Sequence, residues 1–100
     1  MAVKLIMTWN ISPDHEQEYV EFVIGEFIPS AQRIGLQPAE AWATVYGEYP
    51  QILVSLLAED LSSARRALSS DSWARIQDKL LPLVQDFTYK IIPARAEFQF

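Results

Sequence analysis

Between Val3 and Asn10 the chain alternates, with Val3, Leu5, Met7 and Trp9 on one side and Lys4, Ile6, Thr8 and Asn10 on the other. A period of two sends successive side chains to opposite faces, so this segment predicts a strand with one strongly apolar face and one mixed face. The period then lengthens. Ser12-Pro13-Asp14 reads as a helix start: Ser12 can accept from an early backbone N–H, Pro13 suits the first helical position, and Asp14, Glu16 and Glu18 favour the positive end of the dipole. Tyr19, Phe22, Val23 and Phe27 follow at helical spacing. Pro29 should kink the helix, or end it and restart it at Ser30, and Gly35 is placed to close it, so the first helical region spans Pro13 to Ile34.

From Pro38 to Gly47, Trp42, Thr44 and Tyr46 alternate with Ala41, Ala43 and Val45, which predicts a second strand. Gly47-Glu48-Tyr49-Pro50 reads as a hairpin turn into Ile52–Ala58, a strand with almost no polar position. An antiparallel sheet covered by helices on one side normally alternates. The missing alternation implies that the other side is covered too, most simply by a second copy of the chain. Asp60 can cap a short helix through Leu61, Ala64 and Leu68; Ser69-Ser70-Asp71 interrupts it, and a new helix carries Trp73, Ile76, Leu80, Leu83 and Val84 on one stripe. Phe87 to Phe100 predicts a last strand, with Pro93 at a bulge or an edge. The order strand, helix, strand, strand, helix, strand predicts an α+β, ferredoxin-like domain over residues 1–100, a four-stranded antiparallel sheet with helices on one face.

Composition sharpens this picture. Half of the 100 residues are hydrophobic, with three Trp, five Phe and four Tyr, more apolar surface than a small monomer easily hides. A homodimer is expected. The absence of Cys excludes disulfides and thiolate chemistry and fits a reducing cytoplasm. No segment reads as a signal peptide or membrane span, and a net charge of -5 without a Lys/Arg cluster argues against nucleic acid.

The pattern resembles the dimeric α/β-barrel superfamily, including its NIPSNAP-like and small-monooxygenase branches. The resemblance covers nearly the whole chain and rests on its length, its element order, Ser12-Pro13-Asp14-His15, the run from Ser72-Trp73-Ala74-Arg75 through Leu80-Leu81-Pro82-Leu83, and the closing Glu97-Phe98-Gln99-Phe100. It implies sheets packed face to face in a dimeric barrel, with a ligand cavity between the sheet and helices of each protomer. Its members include cofactor-independent oxygenases acting on polycyclic phenols, haem-degrading enzymes and proteins of no known activity, so fold says little about chemistry. A haem-degrading relative would place His on the second helix, which has none.

Candidate chemistry is sparse. His15 is the one side chain with an unperturbed pKa near neutrality and lies just after the first strand; its plainer reading is an exposed residue at a helix N-terminus. With Asn10 it is the candidate catalytic pair for deprotonating an electron-rich phenol or enol that then reacts with oxygen. Trp9, Tyr19, Phe22, Tyr46, Trp73 and Arg95 are the candidate ligand-binding residues, aromatic walls with a few polar groups. The plainer reading is that these aromatics fill core and dimer interface. No metal and no cofactor is expected, because His15, Glu16 and Glu18 offer too few convergent ligands. Three functions stay open: a domain binding a small apolar or aromatic ligand, a cofactor-independent monooxygenase, and a structural or interaction protein with a filled core.

Overall fold

The first alternating segment forms β1 (Val3–Ile11), in which Val3, Leu5, Met7 and Trp9 are buried and the residues between them half-buried. The structure, a computed structural model, describes residues 1–46 and 49–94, the side chains of 44–46 and 49–51 excepted. Strands β2 (Gln37–Tyr46), β3 (Tyr49–Ala58) and β4 (Val84–Pro93) join β1 in one antiparallel sheet of order β2-β3-β1-β4. Helices α1 (Glu16–Phe22), α2 (Ile28–Arg33), α3 (Leu61–Leu68) and α4 (Asp71–Leu80) pack on the Trp9 side of the sheet, giving the α+β ferredoxin-like fold that the element order predicts. Leu5, Met7, Leu56, Phe27, Leu36 and Leu80 make the centre of this core.

The first helix begins later than its cap signal suggests. Ser12 is buried, its N–H bonded to the Leu83 carbonyl at 2.9 Å, and its own carbonyl accepts from His15 N–H at 3.2 Å. Pro13 and Asp14, the latter at φ 71°, thus form the centre of a tight turn, and the helix starts at Glu16 with no side-chain cap. A proline followed by a residue of positive φ is the chemistry of a type II turn. The later helices keep their predicted caps, with Asp60 accepting from Ser63 N–H at 2.7 Å and Ser70 from Trp73 N–H at 3.1 Å.

Pro29 does not end the first helical region. A π-helical stretch, Val23–Phe27, joins α1 to α2, and Ile28 N–H bonds back to the Val23 carbonyl five residues earlier. Proline has no N–H to give to the turn before it, and the wide turn just upstream absorbs the lost bond. Gly35, at φ 91°, closes the helix as expected: its N–H meets Gln32 O at 3.1 Å and Leu36 N–H meets Ala31 O at 2.9 Å, the paired bonds of a Schellman cap.

The second helix stops at Leu80, so Leu83 and Val84 leave its stripe; the last strand starts at Val84, three residues before Phe87, and a bulge at Asp86 (φ 57°) shifts its register on β1 between Thr8 and Asn10. Pro93 ends this edge strand opposite Val3, so the edge position holds and the bulge lies elsewhere. The expected continuation to Phe100, including Glu97-Phe98-Gln99-Phe100, and the turn residues Gly47 and Glu48 lie outside the described residues.

Strand β3 carries apolar residues on both sides, as its sequence implies. Val54, Leu56 and Ala58 are buried under the helices, while Leu53, Ser55 and Leu57 face the open side opposite Thr8, Ile6 and Lys4. Lys4 on β1 and Glu40 on β2 form an ion pair at 2.8 Å that reaches across β3, and Trp42 donates to Glu40 at 3.3 Å. Under this bridge Ser55 is only 1 % exposed.

Candidate functional site

The aromatic residues of the helix side converge on Trp9. Its ring meets Tyr19 edge-on at 6.3 Å and Phe27 edge-on at 6.2 Å, and stacks on Phe87 at 5.9 Å and 15°. Phe27 in turn touches Trp73 at 5.9 Å and Phe22 at 6.1 Å. Such edge-to-face and offset pairs contribute about 0.5–1.5 kcal/mol each beyond their area burial. Alternation along β1 and the period of α1 bring these rings together, and the Asp86 bulge turns Phe87 in beside them.

Two polar contacts sit inside this cluster. Trp9 donates its indole N–H to the Tyr19 hydroxyl at 2.8 Å, and Trp73 donates to Gln77 Oε1 at 2.9 Å. Burial pushes the Tyr19 phenol above its ordinary pKa, against a smaller opposite pull from the Trp9 hydrogen bond. The phenol is therefore neutral through the physiological range. A phenol that accepts one hydrogen bond still carries a proton to donate, and among the described residues no acceptor lies within reach of it.

Trp9, Tyr19 and Trp73 thus belong to one cluster, with Phe22 half-buried at its margin. Asn10 and His15 do not join it. Asn10 alternates with Trp9 along β1 and donates to Asp86 at 3.2 Å, while His15 lies 3.2 Å from Glu18 on the exposed start of α1. No side-chain hydrogen bond links these two to each other or to Tyr19 among the described residues; Tyr19 N–H meets only the His15 carbonyl, at 2.9 Å, as part of the first helical turn. Tyr46 contributes the last residue of β2, opposite Tyr49, and its side chain is outside the described set; Arg95 lies outside it altogether. Phe27 and Phe87, the two rings that join the cluster, were missing from the expected site. Phe27 shares the helical stripe of Tyr19, which was a usable signal, whereas Phe87 depends on a bulge with no sequence signature.

Among the described residues no group of three or more His, Asp or Glu is arranged to hold a metal, and no helix is long and apolar enough to cross a membrane.

No family model matches the sequence, and no curated relative does either. Solved structures do match in fold. A NIPSNAP family protein from Agrobacterium tumefaciens superposes with a TM-score of 0.72 at 18% identity, over 98% of this chain and 96% of that one. An uncharacterised NIPSNAP domain protein from Burkholderia xenovorans gives 0.71 at 14% identity, over 99% and 98%. A cofactor-independent oxygenase from Streptomyces nogalater gives 0.73 at 15% identity, over 97% and 96%. The chain shares the fold of the NIPSNAP and small-oxygenase proteins, as its sequence pattern suggests, and identities this low speak to fold alone.

Proposed function

We propose that this protein works as a cytoplasmic homodimer joined through the open side of its sheet, and that each protomer holds a small, apolar, aromatic compound between sheet and helices. The observation that carries the ligand reading is a ladder of rings. Trp9 is 1 % exposed and stacks on half-buried Phe87, which touches Tyr89 at 6.2 Å, and Tyr89 is 57 % exposed on the same side of the sheet. A flat ligand laid on the outer rungs would continue the stack and remove apolar surface from water at about 25 cal/mol per Å². On another edge of Trp9, the Tyr19 hydroxyl keeps a proton that it could donate to a polar atom of a ligand.

The dimer reading rests on the other side of the sheet, where Trp42 is 62 % exposed and Ile6, Leu53, Leu57 and Ile92 are half-covered. Oxygenase chemistry of the kind named for the Streptomyces nogalater neighbour is the finer alternative, with His15 or Asn10 assisting deprotonation and dioxygen as co-reactant. A filled-core structural role is favoured by one observation, the wedging of Phe27 between Trp9 and Trp73.

Titration with 1-naphthol and anthrone, followed by quenching of protein fluorescence, separates these readings. Saturable quenching that weakens severalfold in Tyr89→Ala supports a ligand site. Oxygen uptake by the wild type that disappears in His15→Ala and Asn10→Ala would extend it to catalysis. No saturable quenching with either compound leaves the structural role.

A further inference from the structure

The helix layer carries a concavity between α2 and α4. It encloses about 260 Å³ and is lined by Glu26, Ser30, Arg33, Ser72, Arg75 and Lys79, floored by Ile34 and Ile76. We propose that this groove binds a small doubly charged oxyanion.

Charge sets this groove apart from the rest of the chain. The chain has 13 acidic residues against eight Lys and Arg, yet three of those eight cations meet here. The one carboxylate in the lining, Glu26, is already taken: its Oε2 is 2.8 Å from the Lys79 ammonium. Arg33 and Arg75 are left without a counter-charge, since no carboxylate among the described residues lies within ion-pair distance of either. The groove therefore keeps two net positive charges on a chain whose total is -5.

Arg75 had alternatives. Asp71 four residues before it and Asp78 three residues after it stand at the spacings where a helix pairs opposite charges. Arg75 takes neither and places a guanidinium nitrogen 3.4 Å from the Ser72 hydroxyl, another groove residue. Arg33 repeats the spacing on the facing helix, three residues after Ser30. Two guanidinium forks face one groove, and the acceptors the chain supplies there are the Ser72 hydroxyl, which takes one Arg75 N–H, and Glu26, held by Lys79; the remaining guanidinium N–H groups have no carboxylate partner among the described residues, and planar forks are suited to carboxylate or phosphate oxygens. The volume equals roughly nine waters' share of the liquid, room for an oxyanion and a few carbons but not for a polymer. Phosphomonoesters and dicarboxylates share this chemistry.

The test uses the intact protein at constant ionic strength, titrated separately with inorganic phosphate, glycerol phosphate and succinate while backbone amide shifts are followed by NMR. Saturable shifts centred on Ser30, Ser72 and Arg75, with a Kd near or below about 1 mM for at least one dianion, are expected. The arm that saturates identifies phosphate or carboxylate as the source. Arg33→Gln and Arg75→Gln should each weaken binding about tenfold or more, the size of a lost charged hydrogen bond, whereas Arg65→Gln, on the exposed face of α3, should leave it unchanged. Should a glutamine variant fail to fold, Arg75→Lys, which keeps the charge and loses the fork, should still weaken binding severalfold. The proposal is overturned by three results: shifts that do not saturate, shifts that persist in the groove variants, or equal weakening in Arg65→Gln. None of these readouts involves the Trp9 ladder, so failure here leaves the aromatic site untouched.

Discussion

The two sides of one strand, β1, end up in opposite conditions. On the helix side, Trp9 and its neighbours are packed within the chain: each ring has ring partners, and the buried indole N–H has an acceptor. On the open side Lys4 is paired with Glu40 and Thr8 with Thr88 at 2.6 Å, but the buried Ser55 hydroxyl has no hydrogen-bond partner among the described residues, exposed Lys90 stands opposite Ile6 without an ion pair among them, and the apolar groups are not finished. Trp42 lies largely in water there, beside half-covered Ile6 and Leu53. Covering the Lys4–Glu40 pair with another surface would cost desolvation that its own attraction offsets only in part, so the drive for contact on this side comes from the unfinished apolar groups. The helix side therefore governs whether the protomer folds. The open side governs what it meets.

Removing the centre of the helix side should produce the largest effect. Trp9→Ala deletes the ring on which Tyr19, Phe27 and Phe87 converge and should cost about 3–5 kcal/mol, read as a large fall in the midpoint of chemical denaturation. A loss below about 1 kcal/mol would mean that the cluster is not the core's keystone. On the open side, Leu53→Glu should leave the melting of the protomer little changed while converting dimer to monomer in light scattering, because the new carboxylate would be buried unpaired at the centre of the joined sheets. A wild-type protein that is already monomeric at micromolar concentration would remove the distinction between the two sides.

Much of this contrast was legible in the residues. The alternation of Val3, Leu5, Met7 and Trp9 assigned the core face directly, and the run from Ile52 to Ala58, broken only by Ser55, put apolar residues on both faces of β3. Gly35 marked its helix end because a positive φ there is cheap only for glycine. Ser12 misled for a physical reason: its N–H is held by Leu83, 71 positions away, and no local pattern reports so distant a contact. The wide turn before Pro29 and the Asp86 bulge were missed likewise, since both resolve a local conflict through backbone geometry. For the candidate site, Trp9, Tyr19, Phe22 and Trp73 fall in one aromatic cluster, to which Phe27 and Phe87 also belong, while Asn10, on the other side of β1 by alternation, and His15 stand apart from it.

Smaller perturbations sharpen the comparison. Tyr19→Phe keeps the ring but leaves the Trp9 N–H without its acceptor, at an expected cost of about 1–3 kcal/mol, less than Trp9→Ala and measurable in the same denaturation series. Acid and alkali should then distinguish the two sides. The Lys4 ammonium, followed by the Trp42 N–H, holds the Glu40 carboxyl below its ordinary value of 4.5. Its stabilising contribution is thus present above pH 4.5 and fades as pH falls through the lowered native value, and Glu40→Gln should flatten that acid limb. Tyr19 has the opposite sign: its raised pKa leaves stability intact below its ordinary value of 10.0 and erodes it as pH climbs beyond, a limb absent in Tyr19→Phe.

The π-helical stretch bears on how the first helix tolerates change in length. A ring closed over five residues houses one more residue per turn than an ordinary helical ring, so the chain on either side keeps its orientation while carrying a supernumerary position. Ile24, 70 % exposed within that stretch, is the natural candidate for the surplus. Tyr19 upstream and Phe27 and Ala31 downstream are buried all the same. Along this helix, residue count and spatial reach are uncoupled at one spot, and a homologous chain one residue shorter there could present the same inward profile to its sheet.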